Sequence, residues 1–177
     1  MVKKGREIAK GQEVEKIISR LADEVGTKMD IENLALVGIR RRGVELAARL
    51  QDILQKKTAI IPLGILDITL YRDDLSAVAK QPVVRETQIQ FDLDGKDILL
   101  VDDVLFTGRT IRAALSELVD FGRPRSIKLL TLIDRGHREL PIQPDFTGKF
   151  IRTKNNQSIE VRLKELDGED KILLIEP

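Results

Sequence analysis

Ile98-Leu99-Leu100-Val101-Asp102-Asp103-Val104-Leu105-Phe106-Thr107-Gly108-Arg109-Thr110 is the stretch that decides the fold. Its first four residues are apolar, as in a strand buried on both faces of a parallel sheet. Two carboxylates, Asp102 and Asp103, stand where that strand emerges. A turn through Thr107, Gly108, Arg109 and Thr110 then enters a helix that runs to about residue 121, where Gly122 and Pro124 stop it. In open α/β sheets, ligands bind beyond the carboxyl ends of strands. The glycine lets backbone approach a ligand closely. The free N–H groups and positive dipole end of the helix suit a phosphate dianion, and the threonines add hydroxyl donors. Acceptors for sugar hydroxyls thus adjoin donors for a phosphate, which is the polarity of a ribose 5-phosphate.

Outward from this stretch, helix-period and strand-period segments alternate. Val14, Ile17, Ile18, Leu21 and Val25 recur at three- and four-residue spacing and predict a helix over 12–25. Residues 34–39 read as a buried strand and 44–55 as a helix, and 59–71 is strand-like. Residues 72–86 are polar, contain Pro82 and lack a period, which reads as a mobile loop. Strands follow at 87–91 and 127–133. The polar, Pro-rich remainder ends in a hairpin near Asp167-Gly168. The alternation predicts an α/β fold, Rossmann-like, with a mostly parallel sheet flanked by helices. The 177 residues suit one domain.

Composition sets the outer bounds. With 42% apolar and 33% charged residues the chain reads as globular. No apolar run is long enough to span a bilayer, so no membrane role is expected. The charged start Met-Val-Lys-Lys-Gly-Arg-Glu has no apolar core behind it, so no signal peptide is read and the cytoplasm is expected. Absence of cysteine excludes disulfides, thiol catalysis and Cys-ligated zinc. A net charge of +1 and 3% aromatics do not advertise a nucleic-acid surface.

Other segments bear on the same site. Arg40, Arg41 and Arg42 also follow a buried strand, at the sheet edge that carries the acid pair. A run of charge is usually a solvated face, but here a pyrophosphate would need cations, and arginine contacts phosphate oxygens two at a time. Residues 67–74 lead into the polar loop, either as a plain turn or as a lid that excludes water, with Arg72 reaching the pyrophosphate. A phospho-acceptor receiver domain also carries an acid pair after a strand, but on its first strand, whereas this pair lies past mid-chain.

Residues 98–110 resemble the binding motif of type I phosphoribosyltransferases for 5-phosphoribosyl-1-pyrophosphate (PRPP), with no departure at the acids or at Thr-Gly-x-Thr. Residues 67–74, Phe-Thr-Gly-Arg-Thr and Asp-Arg-Gly-His-Arg-Glu-Leu-Pro (134–141) together are similar to the PyrR family, pyrimidine-operon regulators that are also uracil phosphoribosyltransferases. The resemblance covers nearly the whole chain. It implies that Asp102 and Asp103 hold the ribose hydroxyls near a Mg²⁺ carried mainly by PRPP. It implies that Val104, Leu105, Phe106, Thr107, Gly108, Arg109 and Thr110 bind the 5-phosphate of PRPP or UMP. Arg40, Arg41 and Arg42 fall on the pyrophosphate loop. Arg135 and the backbone near Ile159 fall on a small hood, about 134–177, over the base. Phe106 occupies a place where 6-oxopurine enzymes commonly carry an aspartate. With no proton to exchange, it favours a pyrimidine.

The resemblance further implies a homodimer, often paired into tetramers, and uridine-nucleotide-dependent binding to the leader of pyrimidine-operon mRNA, with UMP or UTP as the signal. Phosphate neutralisation dominates RNA affinity. The candidate cations are Lys16, Arg20, Arg138, Lys149, Arg152 and Lys154, with Asp23 and Glu24 opposing them on the first helix. Scattered surface charge also serves ordinary solubility. Three readings stay open: a uracil enzyme that also regulates, a uracil enzyme alone, and a purine phosphoribosyltransferase.

Overall fold

Two sheets organise the chain in a computed structural model that describes residues 5–56, 60–68 and 87–176. Five strands form the first: β2 (Leu34–Ile39), β3 (Leu63–Leu66), β4 (Asp97–Leu105), β5 (Ser126–Asp134) and β6 (Phe146–Phe150), all parallel in the order β3-β2-β4-β5-β6. The second is a small antiparallel sheet of β1 (Gly5–Lys10), β8 (Lys171–Ile175) and β7 (Ser158–Arg162). The helices are α1 (Gln12–Lys28), α2 (Arg42–Gln55), α3 (Arg109–Phe121) and the single turn α4 (Lys164–Asp167).

Strand period divides the core. Leu34, Leu36, Leu99 and Val101 face one side with α1 and α2, while Ala35, Val37, Ile98 and Leu100 face the other with Ile111, Ala114 and Leu118 of α3. Both faces of β2 and β4 are therefore buried, which is why these strands read as unbroken apolar runs rather than alternating ones. Each large aliphatic side chain so buried is worth about 1.5–3 kcal/mol.

The strand order places the site. From β2 the chain proceeds through α2 to β3 at one edge; from β4 it proceeds through α3 to β5 on the other side. The order reverses between β2 and β4, where a crevice opens beyond the strand ends. Gly43 lets the start of α2 close onto it: a Cβ there would collide with the Val101 carbonyl oxygen.

Several boundaries move. The first helix continues to Lys28, and the central strand runs through Asp102 and Asp103 to Leu105, because Asp102 and Val104 still pair with Thr131 and Ile133. The 87–91 segment is not a strand: only Gln88 makes an antiparallel bridge, to Ile65. β1 and β6 were not expected; β1 is mostly exposed and β6 lies in the polar remainder at the sheet edge. The terminal hairpin is real, but its strands are joined through α4, which ends at Gly168. The loop expected at 72–86, with Arg72, and part of the strand-like segment lie outside the described residues. Among the described residues, no helix is long and apolar enough to cross a membrane.

Candidate active site

A cleft of about 570 Å³ opens at the β2/β4 crevice, a size that suits a nucleotide-sized ligand. Residues 102–111 form one wall, β7 residues 158–161 another, and Arg42, Arg135 and Glu139 complete it. The structure thus gathers Asp102, Asp103, Val104, Leu105, Phe106, Thr107, Gly108, Arg109, Thr110, Arg42, Arg135 and Ile159 around one space.

The loop between β4 and α3 has the form its sequence suggests. Asp102 is buried and accepts a hydrogen bond from the Asp103 N–H at 3.0 Å, while Asp103 is half-buried at the cleft. Gly108 adopts φ 92°, the left-handed region, and stands at the N-cap of α3 with no side-chain cap. A side chain is strained there, so the glycine is required by the turn itself. The opening N–H groups of α3 have no intrahelical acceptor and border the cleft. Arg109 pairs with Glu139, Nε to Oε2 at 2.7 Å.

The three arginines after β2 separate. Arg42 lines the cleft and binds Asp167 through Nε (3.2 Å) and Nη2 (2.9 Å). Arg40 turns to Asp67, Nε to Oδ2 at 3.4 Å, and Arg41 is exposed. The Arg40–Arg41 peptide is cis.

Arg135, also on the cleft, is 6% exposed, and its guanidinium lies 3.9 Å from the centre of the Phe106 ring. Its Nε donates to Thr153 Oγ1 at 3.1 Å and its Nη2 to the Gln157 carbonyl. Burial pulls its pKa below the usual arginine value. His137 packs edge-on to Phe106, with ring centres 5.8 Å apart, and its Nε2 meets the Thr153 carbonyl at 2.7 Å.

The RNA candidates divide in the same way. Lys16, Lys149, Arg152 and Lys154 are exposed. Arg20 is engaged with Glu24 and the Gly148 carbonyl. Arg138 is a scaffold residue: it pairs with buried Asp134, and it donates to the Phe106 carbonyl at 2.8 Å and the Ile142 carbonyl at 2.8 Å. It thereby braces the backbone of the loop between β4 and α3. The Asp134-x-x-x-Arg138 spacing was its visible signal. Glu139, Glu160 and Asp167 were missed as neighbours of the site, because charged side chains in polar segments carry no period to mark them.

Among the described residues, no cluster of three or more His, Asp or Glu stands ready to hold a metal alone. The adjacent carboxylates Asp102 and Asp103 still fit Mg²⁺, which commonly binds through one or two carboxylates plus substrate phosphates.

Residues 4–166 match the phosphoribosyl transferase domain family. The bifunctional protein PyrR of Elusimicrobium minutum is 54% identical over 170 residues, covering 95% of each chain. That of Deinococcus radiodurans is 49% identical over 172 residues, 96% of this chain and 94% of the relative. Among solved structures, a hypoxanthine phosphoribosyltransferase of Staphylococcus aureus superposes with TM-score 0.72 at 20% identity, over 98% of this chain and 94% of that one. The Trypanosoma cruzi enzyme in complex with IMP gives 0.72 at 15% identity, over 100% and 92%. At such identities these two speak for the fold alone. The acid pair, the glycine turn and the crevice between β2 and β4, with half the sequence shared along nearly its full length, place the chain in the phosphoribosyltransferase family and, within it, among the PyrR proteins.

Proposed function

We propose that this chain transfers the phosphoribosyl group of PRPP to uracil, giving UMP and pyrophosphate, and that nucleotide in the same cleft governs binding to the leader of pyrimidine-operon mRNA. The observation that carries the reading is the acid pair and the left-handed Gly108 turn, side by side on one crevice wall. The C1′–O bond to pyrophosphate breaks, the bond from C1′ to the uracil nitrogen forms, and that nitrogen loses its proton. Positive charge grows on the ribose as pyrophosphate leaves. Asp102 and Asp103 hold the ribose hydroxyls and lie near that charge. The N–H groups opening α3, with Thr107 and Thr110, hold the 5-phosphate. Arg42, with Arg40 and Arg41 on the same loop, faces the pyrophosphate. Arg72, outside the described residues, is read as a further contact for the pyrophosphate. Asp102 and Asp103 would stand nearest a Mg²⁺ that arrives with PRPP, whose charge would neutralise the departing phosphates. Positioning and preorganised charge do the catalytic work.

Arg135 and the backbone at Ile159 take the base edge, and Phe106, without an exchangeable proton, serves a pyrimidine rather than a purine. The reading includes a cytoplasmic setting and a homodimer or tetramer. A steady-state assay offering uracil, hypoxanthine and orotate with Mg-PRPP tests it. Turnover of uracil alone is expected. Faster use of hypoxanthine would remove the pyrimidine assignment.

A further inference from the structure

We propose that Asp167 is a positioning residue for the pyrophosphate site, acting through Arg42; this rests on reading residues 40–42 as the pyrophosphate loop. Arg42 is the first residue of α2, and Asp167 is the last of α4, 125 residues later in the chain. Their contact is two-pronged, with Nε and Nη2 of the guanidinium on the two carboxylate oxygens. Such a fork fixes the plane of the guanidinium as well as its place. It spends one edge of the group, and Nη1 has no hydrogen-bond partner among the described residues. That edge remains for a ligand in the cleft that Arg42 lines.

Asp167 is itself anchored without help from Arg42. Its Oδ2 accepts from the Leu163 N–H at 2.9 Å. The same turn is held a second time by Arg49, two helical turns along α2, which binds Glu165 (2.8 and 2.6 Å) and Asp170 (2.8 and 2.6 Å). The carboxylate is therefore a fixed post and the long arginine side chain the movable partner. Asp103 and Glu160 also attract Arg42 electrostatically. Without Asp167, the guanidinium would be drawn toward these acids, away from the pyrophosphate and onto the ribose side of the cleft.

Isothermal titration with magnesium pyrophosphate and, separately, with UMP decides the matter across Asp167→Asn, Arg42→Ala, the double variant and Glu165→Gln. Asparagine keeps an acceptor for the Leu163 N–H but loses the charge and one prong. Asp167→Asn is expected to weaken pyrophosphate about tenfold, roughly one charge-assisted hydrogen bond, and to leave UMP within about twofold. The double variant is expected to lose no more than Arg42→Ala alone, because the two act as one unit. Glu165→Gln is expected to lower Tm and leave pyrophosphate binding intact. If Arg42→Ala loses pyrophosphate while Asp167→Asn binds it unchanged or more tightly, the positioning role falls and the pyrophosphate loop stands. If Arg42→Ala binds pyrophosphate normally, the loop reading falls first and takes this one with it. Equal losses in Asp167→Asn and Glu165→Gln, or additive losses in the double variant, would mean a general loosening of the hairpin and overturn the proposal.

Discussion

Asp103 stands half-buried near the end of β4, with its backbone N–H on the Asp102 carboxylate. The pair contributes little to packing, because the apolar work of the strand is done by residues 98–101. Asp103→Asn is therefore expected to fold normally and to lose most turnover. Removing a charged acceptor for a ribose hydroxyl in a partly desolvated site costs about 1.5–3 kcal/mol, so kcat/KM with saturating uracil should fall at least tenfold while Tm stays level. Wild-type kcat/KM in the purified variant would sink the assignment of the acids. Phe106 illustrates a different kind of residue. Its missing acid was legible in the sequence, but its stacking under Arg135 at 3.9 Å was not, since the two are 29 residues apart and meet only across the β4 and β5 ends.

The hairpin of β7, α4 and β8 is tied to α2 by Arg49, whose guanidinium is shared by Glu165 and Asp170. Asp170 is the better buried acid, with its side chain 7% exposed. Hydrogen bonding to Arg49, opposed by burial and helped by the Lys164 N–H, holds its pKa below the ordinary aspartate range. A folded-state pKa lower than the unfolded one means stability that is present above the unfolded pKa, about 3.9, and lost as pH falls through the folded value. Asp170→Asn is expected to lower Tm at pH 7, by about 2–4 °C for each kcal/mol removed. The gap to the native protein should begin to narrow as the pH falls below about 4, the unfolded value, and close only below the lowered folded pKa, where the native carboxylate is itself protonated. Thermal melts of both proteins at several pH values check this, and a gap that persists unchanged into strong acid would show that the Arg49 contact is not the cause.

At the scale of the whole molecule, a net charge of +1 gives no general attraction for RNA, so any RNA surface must be local. Lys149, Arg152 and Lys154 are exposed close together in the chain, on β6 and just beyond it, with Phe150 61% exposed among them. Binding to a hairpin from a pyrimidine-operon leader is expected to strengthen with UMP and weaken with salt. Replacing the three cations by alanine should flatten the salt dependence by nearly one unit for each phosphate no longer neutralised. A filter-binding series that finds no preference over an unrelated hairpin, at low salt with UMP, leaves an enzyme only. Arg138→Ala is a poor probe of RNA, because it also unbraces the loop between β4 and α3. The sequence by itself determined the central strand, the acid pair, the glycine turn and the α/β alternation, because burial on both sheet faces and a left-handed turn restrict which residues serve, locally and in order. Only the tertiary structure decided that β2 and β4 are neighbours, that Arg42 of the three arginines lines the cleft, and that a turn near the far end of the chain holds it there. Strand order and long-range ion pairs join residues that no local period connects, and they exist only once the sheet has closed.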